Sequence, residues 1–116
     1  MAARSNWYPD RGDLVWLQFD PQSGREQAGR RPALILSPGS YNHKVGLALL
    51  CPITSVAKGY PFEIPLPDGL EISGVILSDQ VKSMDWRARR ADKAGEAPTE
   101  VVESVLGRIG LLLRMD

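Results

Sequence analysis

Apolar positions recur along this chain in short bursts broken by turn residues. Residues 13–19 alternate loosely around Leu14 and Trp16, as a half-buried strand does, and Trp16 is expected to pack in the core. The unbroken apolar run Ala33-Leu34-Ile35-Leu36 fits a strand covered on both faces, closed by the turn residues Pro38-Gly39-Ser40. Residues 45–53 predict a third strand, with His43 in a loop just before it. Residues 62–66 predict a fourth, whose Pro65 belongs at an edge or bulge because proline cannot donate to a ladder. Residues 74–78 and 85–91 predict a fifth and a sixth. Short strands at such close spacing predict a small barrel.

The last segment changes period. Thr99 is placed to cap a helix whose first turn carries Glu100 and Glu103, carboxylates that favour the positive end of the dipole. Val101, Val102, Val105, Leu106, Ile109, Leu112 and Leu113 then recur at helical spacing and form one apolar face. Gly107 and Gly110 each cost the helix about 1 kcal/mol relative to alanine, which is expected where something packs closely on that side. The predicted class is therefore mainly β with a C-terminal helix.

A chain of 116 residues suits one domain, here residues 1–116. Lysine plus arginine equals aspartate plus glutamate at 14 each, so bulk charge does not hold a polyanion, and any basic footprint is local. A single cysteine, Cys51, excludes an internal disulfide and a thiolate metal cluster, and fits a reducing compartment. The single His43 excludes a two-histidine mechanism. No run approaches the roughly twenty apolar residues of a membrane span, and a cytoplasmic protein is expected.

Between the first two strands lies the most chemical stretch, residues 19–32, which sets Asp20, Glu26 and Gln27 among Arg25, Arg30 and Arg31 in turn-rich sequence. Arginine offers a planar fork of donors that matches phosphate oxygens in pairs, so this cluster points to recognition of a phosphodiester. A solvated loop is the plain alternative on these residues alone.

Ordered motifs run through nearly the whole chain: Gly12-Asp13-Leu14-Val15-Trp16, Phe19-Asp20-Pro21, Glu26-Gln27-Ala28-Gly29, Arg31-Pro32, Leu36-Ser37-Pro38 and Pro52-Ile53-Thr54. Lys58-Gly59-Tyr60-Pro61-Phe62-Glu63, Asp79-Gln80-Val81-Lys82-Ser83 and Trp86-Arg87-Ala88-Arg89 complete the series. In these the chain resembles the MazF/PemK-type toxin endoribonucleases of type II toxin–antitoxin systems. The resemblance implies an SH3-like small barrel of the CcdB/PemK-like kind, assembled as a homodimer. It also implies cleavage of single-stranded RNA without a metal or other cofactor, and a cognate antitoxin that lays an acidic, largely disordered tail over the active groove.

Metal-free RNA cleavage uses the substrate's own 2′-hydroxyl against the adjacent phosphorus. The enzyme then has to supply a proton acceptor, a proton donor and charge stabilisation. Glu26 is the candidate base, held ionised among the arginines. Arg31 is the candidate clamp for charge on the phosphoryl oxygens, and Thr54 offers a hydroxyl to the same oxygens. Taken alone, Thr54 reads as a strand-end residue satisfying a backbone group. By resemblance, Glu26, Arg31 and Thr54 occupy the family's active-site positions.

Gln80, Lys82 and Arg87 are candidates for the groove that reads bases, with Gln27 and Lys58 from the matching motifs. Asp20 accepts from a base amino group or caps the turn before Pro21. Arg30 stands where other members of the resembled family often carry histidine or lysine, which adds a second guanidinium for phosphate holding. Trp16, Trp86 and Tyr60 carry aromatic faces on which unpaired bases can stack. A second reading, a non-catalytic gyrase poison like the CcdB-type toxins, has no need of Glu26, Arg31 and Thr54 converging. A third, a plain RNA-binding barrel, binds without cutting.

Overall fold

Strand pairing around one central strand organises the chain. The computed structural model describes residues 6–19 and 29–116. In chain order the elements are β1 (Asp13–Gln18), β2 (Arg30–Ile35), α1 (Gly39–Val45), β3 (Ala48–Thr54), β4 (Glu63–Pro65), β5 (Val75–Leu77), β6 (Lys82–Met84), β7 (Asp92–Glu96) and α2 (Thr99–Arg114). The antiparallel order is β4-β5-β3-β2-β1-β7, with β6 also paired to β3. One edge of β3 carries β2. The other is shared end to end, β6 along Ala48–Leu50 and β5 along Ile53–Thr54.

Alternation along the strands gives the sheet two apolar faces. Leu14, Leu34, Cys51, Ile53 and Ile76 face the helix α2, which buries Val102 and Val105 among them. Val15, Leu17, Ala33, Ile35 and Leu50 face the opposite way, onto Met84, Trp86 and Ala91. The run at residues 33–36 is thus covered on both sides, as its composition predicts. The mainly β class with a C-terminal helix is borne out. Pairing among the described residues follows an open path and does not close into a ring. Pro65 lies on β4, the last strand of that path, where a missing donor breaks no ladder.

Four local expectations are corrected. Residues 85–91 form a turn between two strands: Asp85 Oδ1 accepts from the N–H groups of Arg87 (3.1 Å) and Ala88 (2.9 Å), and Arg90 takes a φ of 57°. Residues 39–45, with His43 and Val45, are helical; the fully buried Asn42 anchors them by donating to the carbonyls of Pro9 (2.8 Å) and Ser37 (2.9 Å). Thr99 is the first residue of α2 and makes no side-chain cap; Pro98 occupies the capping position, with Glu100 in the first turn. Leu112 and Leu113 run past the sheet, Leu113 being 78% exposed, and nothing among the described residues lies against Gly107 or Gly110. No helix among the described residues is long and apolar enough to cross a membrane.

Lys93 ties β7 to β1, its Nζ 3.3 Å from Asp13 Oδ1 and 2.7 Å from Glu96 Oε2. Burial pushes the Asp13 carboxyl above its ordinary value, outweighing the Asp10 N–H and the Lys93 charge that pull it down. The Lys93 ammonium is raised above 10.5, first by its hydrogen bond to Glu96. A raised lysine contributes stability that is complete below its unfolded value and is lost as pH climbs through its folded value. Lys93→Met should therefore flatten the alkaline limb of the stability curve above pH 10.5, read by urea unfolding across that range. Leu34→Ala, at a fully buried central position, should cost about 2–5 kcal/mol, seen as a lower urea midpoint at unchanged slope.

Candidate active site

Because β2 and β3 run antiparallel, the start of one lies beside the end of the other. Their register pairs Ala33 with Pro52 and Leu34 with Cys51, which brings Arg31 near the start of β2 and Thr54 at the end of β3 to the same end of the sheet. Both residues line one cleft of about 360 Å³, together with Trp16, Ser55, Glu71 and Ser73. Pro32, Ile53 and Ile72 supply its apolar lining.

Arg31 is exposed, and its guanidinium has no hydrogen-bond or ion-pair partner among the described residues. Thr54 Oγ1 accepts from the Val56 N–H at 3.2 Å, the local role its sequence position suggests. That contact uses a lone pair and leaves the hydroxyl proton to donate elsewhere. A cation and a hydroxyl donor in one cleft suit an anionic oxygen.

Gly74 sets the position of Thr54. It enters β5 with a φ of +124°, and a Cβ there would collide with the Thr54 carbonyl oxygen. Only glycine lets the β5 backbone approach the end of β3 this closely.

The remaining sequence candidates divide. Asp20, Glu26 and Gln27 lie outside the described residues. Arg30 is a brace: its Nη2 donates to the carbonyls of Trp16 (3.3 Å) and Arg90 (3.1 Å) and to Asp92 Oδ2 (3.0 Å), joining β1, β2 and β7. The expected second phosphate clamp is thus held on the far side of β2 from Arg31. Lys58, Gln80, Lys82 and Arg87 are all exposed, and none lines the cleft. The Glu63 carboxylate accepts from the Lys58 and Gly59 N–H groups, shaping the loop that presents Lys58. Lys82 sits opposite Leu50 in β6, and the Arg87 guanidinium stacks 4.7 Å from the Trp86 ring centre.

The aromatic expectations are exchanged. Trp86, 3% exposed, is core, and its indole N–H donates to the Asn42 carbonyl at 2.9 Å. Trp16, 40% exposed, lines the cleft instead of packing in the core. Glu71, Ser55 and Ser73 had no distinguishing signal, since they lie in turn-rich sequence without periodicity. Burial, and secondarily the Asp79 charge, pushes the Cys51 thiol up to about 12, so it is no nucleophile.

Residues 10–113 match the family model of the PemK-like, MazF-like toxin of type II toxin–antitoxin systems. This chain belongs to that family. It is 50% identical to the endoribonuclease toxin MazF of Escherichia coli (strain K12) over 109 residues, 94% of this chain and 97% of the relative. The crystal structure of MazF (Form-I) from Deinococcus radiodurans superposes with a TM-score of 0.86 at 56% identity, covering 95% of this chain and all of that one. The MazE–MazF crystal structure (Form-II) from the same organism gives 0.85 at 51% identity, covering 96% of this chain and all of that one. The reading of an endoribonuclease toxin over a gyrase poison is borne out by these relatives.

Gly74→Ala should cost about 1–3 kcal/mol and displace Thr54. Urea unfolding would read the first effect. In NMR spectra the Thr54 amide and methyl signals should be among the most shifted.

Proposed function

We propose that the cleft between Arg31 and Thr54 is where this toxin cuts single-stranded RNA, without a metal, by attack of the substrate's own 2′-hydroxyl. The observation that carries the reading is one cleft lined by both the Thr54 hydroxyl and the Arg31 guanidinium, which is unpaired among the described residues. Glu26, five residues before Arg31, serves as the base that takes the 2′-hydroxyl proton. The 2′-oxygen then bonds to phosphorus, the bond from phosphorus to the 5′-oxygen breaks, and that oxygen takes a proton from water as it departs. A 2′,3′-cyclic phosphate and a 5′-hydroxyl end result. Arg31 holds the charge that builds on the phosphoryl oxygens, and the Thr54 hydroxyl donates to the same oxygens.

Unpaired RNA suits an open cleft because its bases expose their edges and faces. Lys58, Gln80, Lys82 and Arg87, exposed beyond the cleft, extend contact along the strand, joined by Asp20 and Gln27 from the preceding segment. Residues 1–116 act as one domain, paired as a homodimer in the cytoplasm. A cognate antitoxin with an acidic disordered tail neutralises the toxin by covering the Arg31 cleft that RNA needs.

Arg31→Ala should lower cleavage of a mixed RNA oligonucleotide in EDTA by about 10²–10³-fold while the oligomeric state is retained. Full activity in that variant removes Arg31 from the mechanism. A single 2′-deoxy substitution at the cut should block scission of that strand, whereas attack by activated water would continue.

A further inference from the structure

Glu71 has no place in the chemistry proposed above. It nevertheless lines the same cleft as Arg31 and Thr54. A carboxylate beside a bound phosphodiester weakens binding by charge repulsion unless it meets a donor. Among the described residues no cation pairs with it and no group donates to it. Its position is nonetheless built. One carboxylate oxygen lies over Gly95 of β7, only 3.0 Å from where a Cβ at that residue would stand. Gly95 pairs with Leu14 across β1, and Trp16 follows two residues on along the same face. Two residues of strand span about 7 Å, the scale of one nucleobase. An exposed indole and an unpaired carboxylate thus flank a space that one base can fill, its face on Trp16 and its edge toward Glu71.

We infer that Glu71 is a specificity-determining residue of the cleft: it accepts hydrogen bonds from the amino-bearing edge of an unpaired base stacked on Trp16, and so selects against uracil at one position of the cut sequence. The inference rests on the RNA-cleaving reading and deepens it. A carboxylate is an acceptor only. Adenine and cytosine each turn an exocyclic amino group to it, and guanine turns an amino group with the adjacent ring N–H. Uracil presents two carbonyl oxygens around a single N–H, so its edge is mostly repelled. Stacking on an indole is tolerant of base identity and supplies affinity, which leaves the choice of base to the edge contact.

The full-length protein and its Glu71→Gln, Gly95→Ala, Trp16→Ala and Trp16→Phe variants would be given a randomised single-stranded RNA pool in EDTA, with the products sequenced. Glu71→Gln supplies an amide that also donates, so uracil should gain on the other bases at one position on the order of 10-fold, with preferences elsewhere unchanged. Gly95→Ala, which crowds the carboxylate, should blunt the preference at that same position. Trp16→Ala should raise KM more than it lowers kcat, and Trp16→Phe should restore much of the difference. An unchanged base preference at every position in Glu71→Gln overturns the inference. So does an equal loss of cleavage on all sequences, which would put Glu71 in the reaction or the fold. Equilibrium binding of all-deoxy oligonucleotides differing at one base, deoxyuridine included, reads the preference without the chemistry. Wild-type protein that binds with a Glu71-dependent preference but does not cut would sink the catalytic reading and leave this one standing.

Discussion

The double use of β3 is the constraint on which the molecule depends. One edge of this strand pairs with β2, while the other is divided between β6 and β5, and its side chains are buried alternately on two faces. A strand held on four sides has little freedom to slide or twist. Its C-terminal residue, Thr54, inherits that rigidity and carries it to the mouth of the cleft. The close passage of the chain at Gly74, just ahead of β5, fixes the same point. A hydroxyl that must meet a particular phosphoryl oxygen gains from such a mount, because misplacement by 1 Å can cost about 10²-fold in rate.

Buried polar groups supply the matching specificity on the far side of the sheet. The Asn42 side chain donates to two carbonyls and accepts from Ser37 Oγ, and its backbone carbonyl takes the Trp86 indole N–H. The short helix α1, the segment before β1 and the turn after β6 are joined through one residue. Every partner is satisfied, so the network carries no unpaired buried group that would favour a looser packing.

The strands at residues 13–19 and 33–36 were legible because alternation and double burial leave distinct patterns in sequence. The turn at Asp85 and the helix at residues 39–45 were not, since each is held by particular hydrogen bonds rather than by periodicity. Trp16 and Trp86 exchanged roles for a related reason: a period of two says which residues share a face, but not where the cover over that face ends. Arg31 and Thr54 were legible as motifs, and their meeting in one cleft emerged only from the fold. Glu71 left no trace, because the turn-rich stretch around it obeys no period and its place depends on the bare backbone of Gly95.

Adjacent residues in a strand point to opposite faces, and the two arginines at the start of β2 turn this into a division of labour. Arg30 is locked to Asp92 and two carbonyls, while Arg31, unpaired among the described residues, lines the cleft. Sliding β2 by one residue would exchange them, giving the brace to one and the substrate to the other. A single residue gained or lost within β2 would invert that assignment.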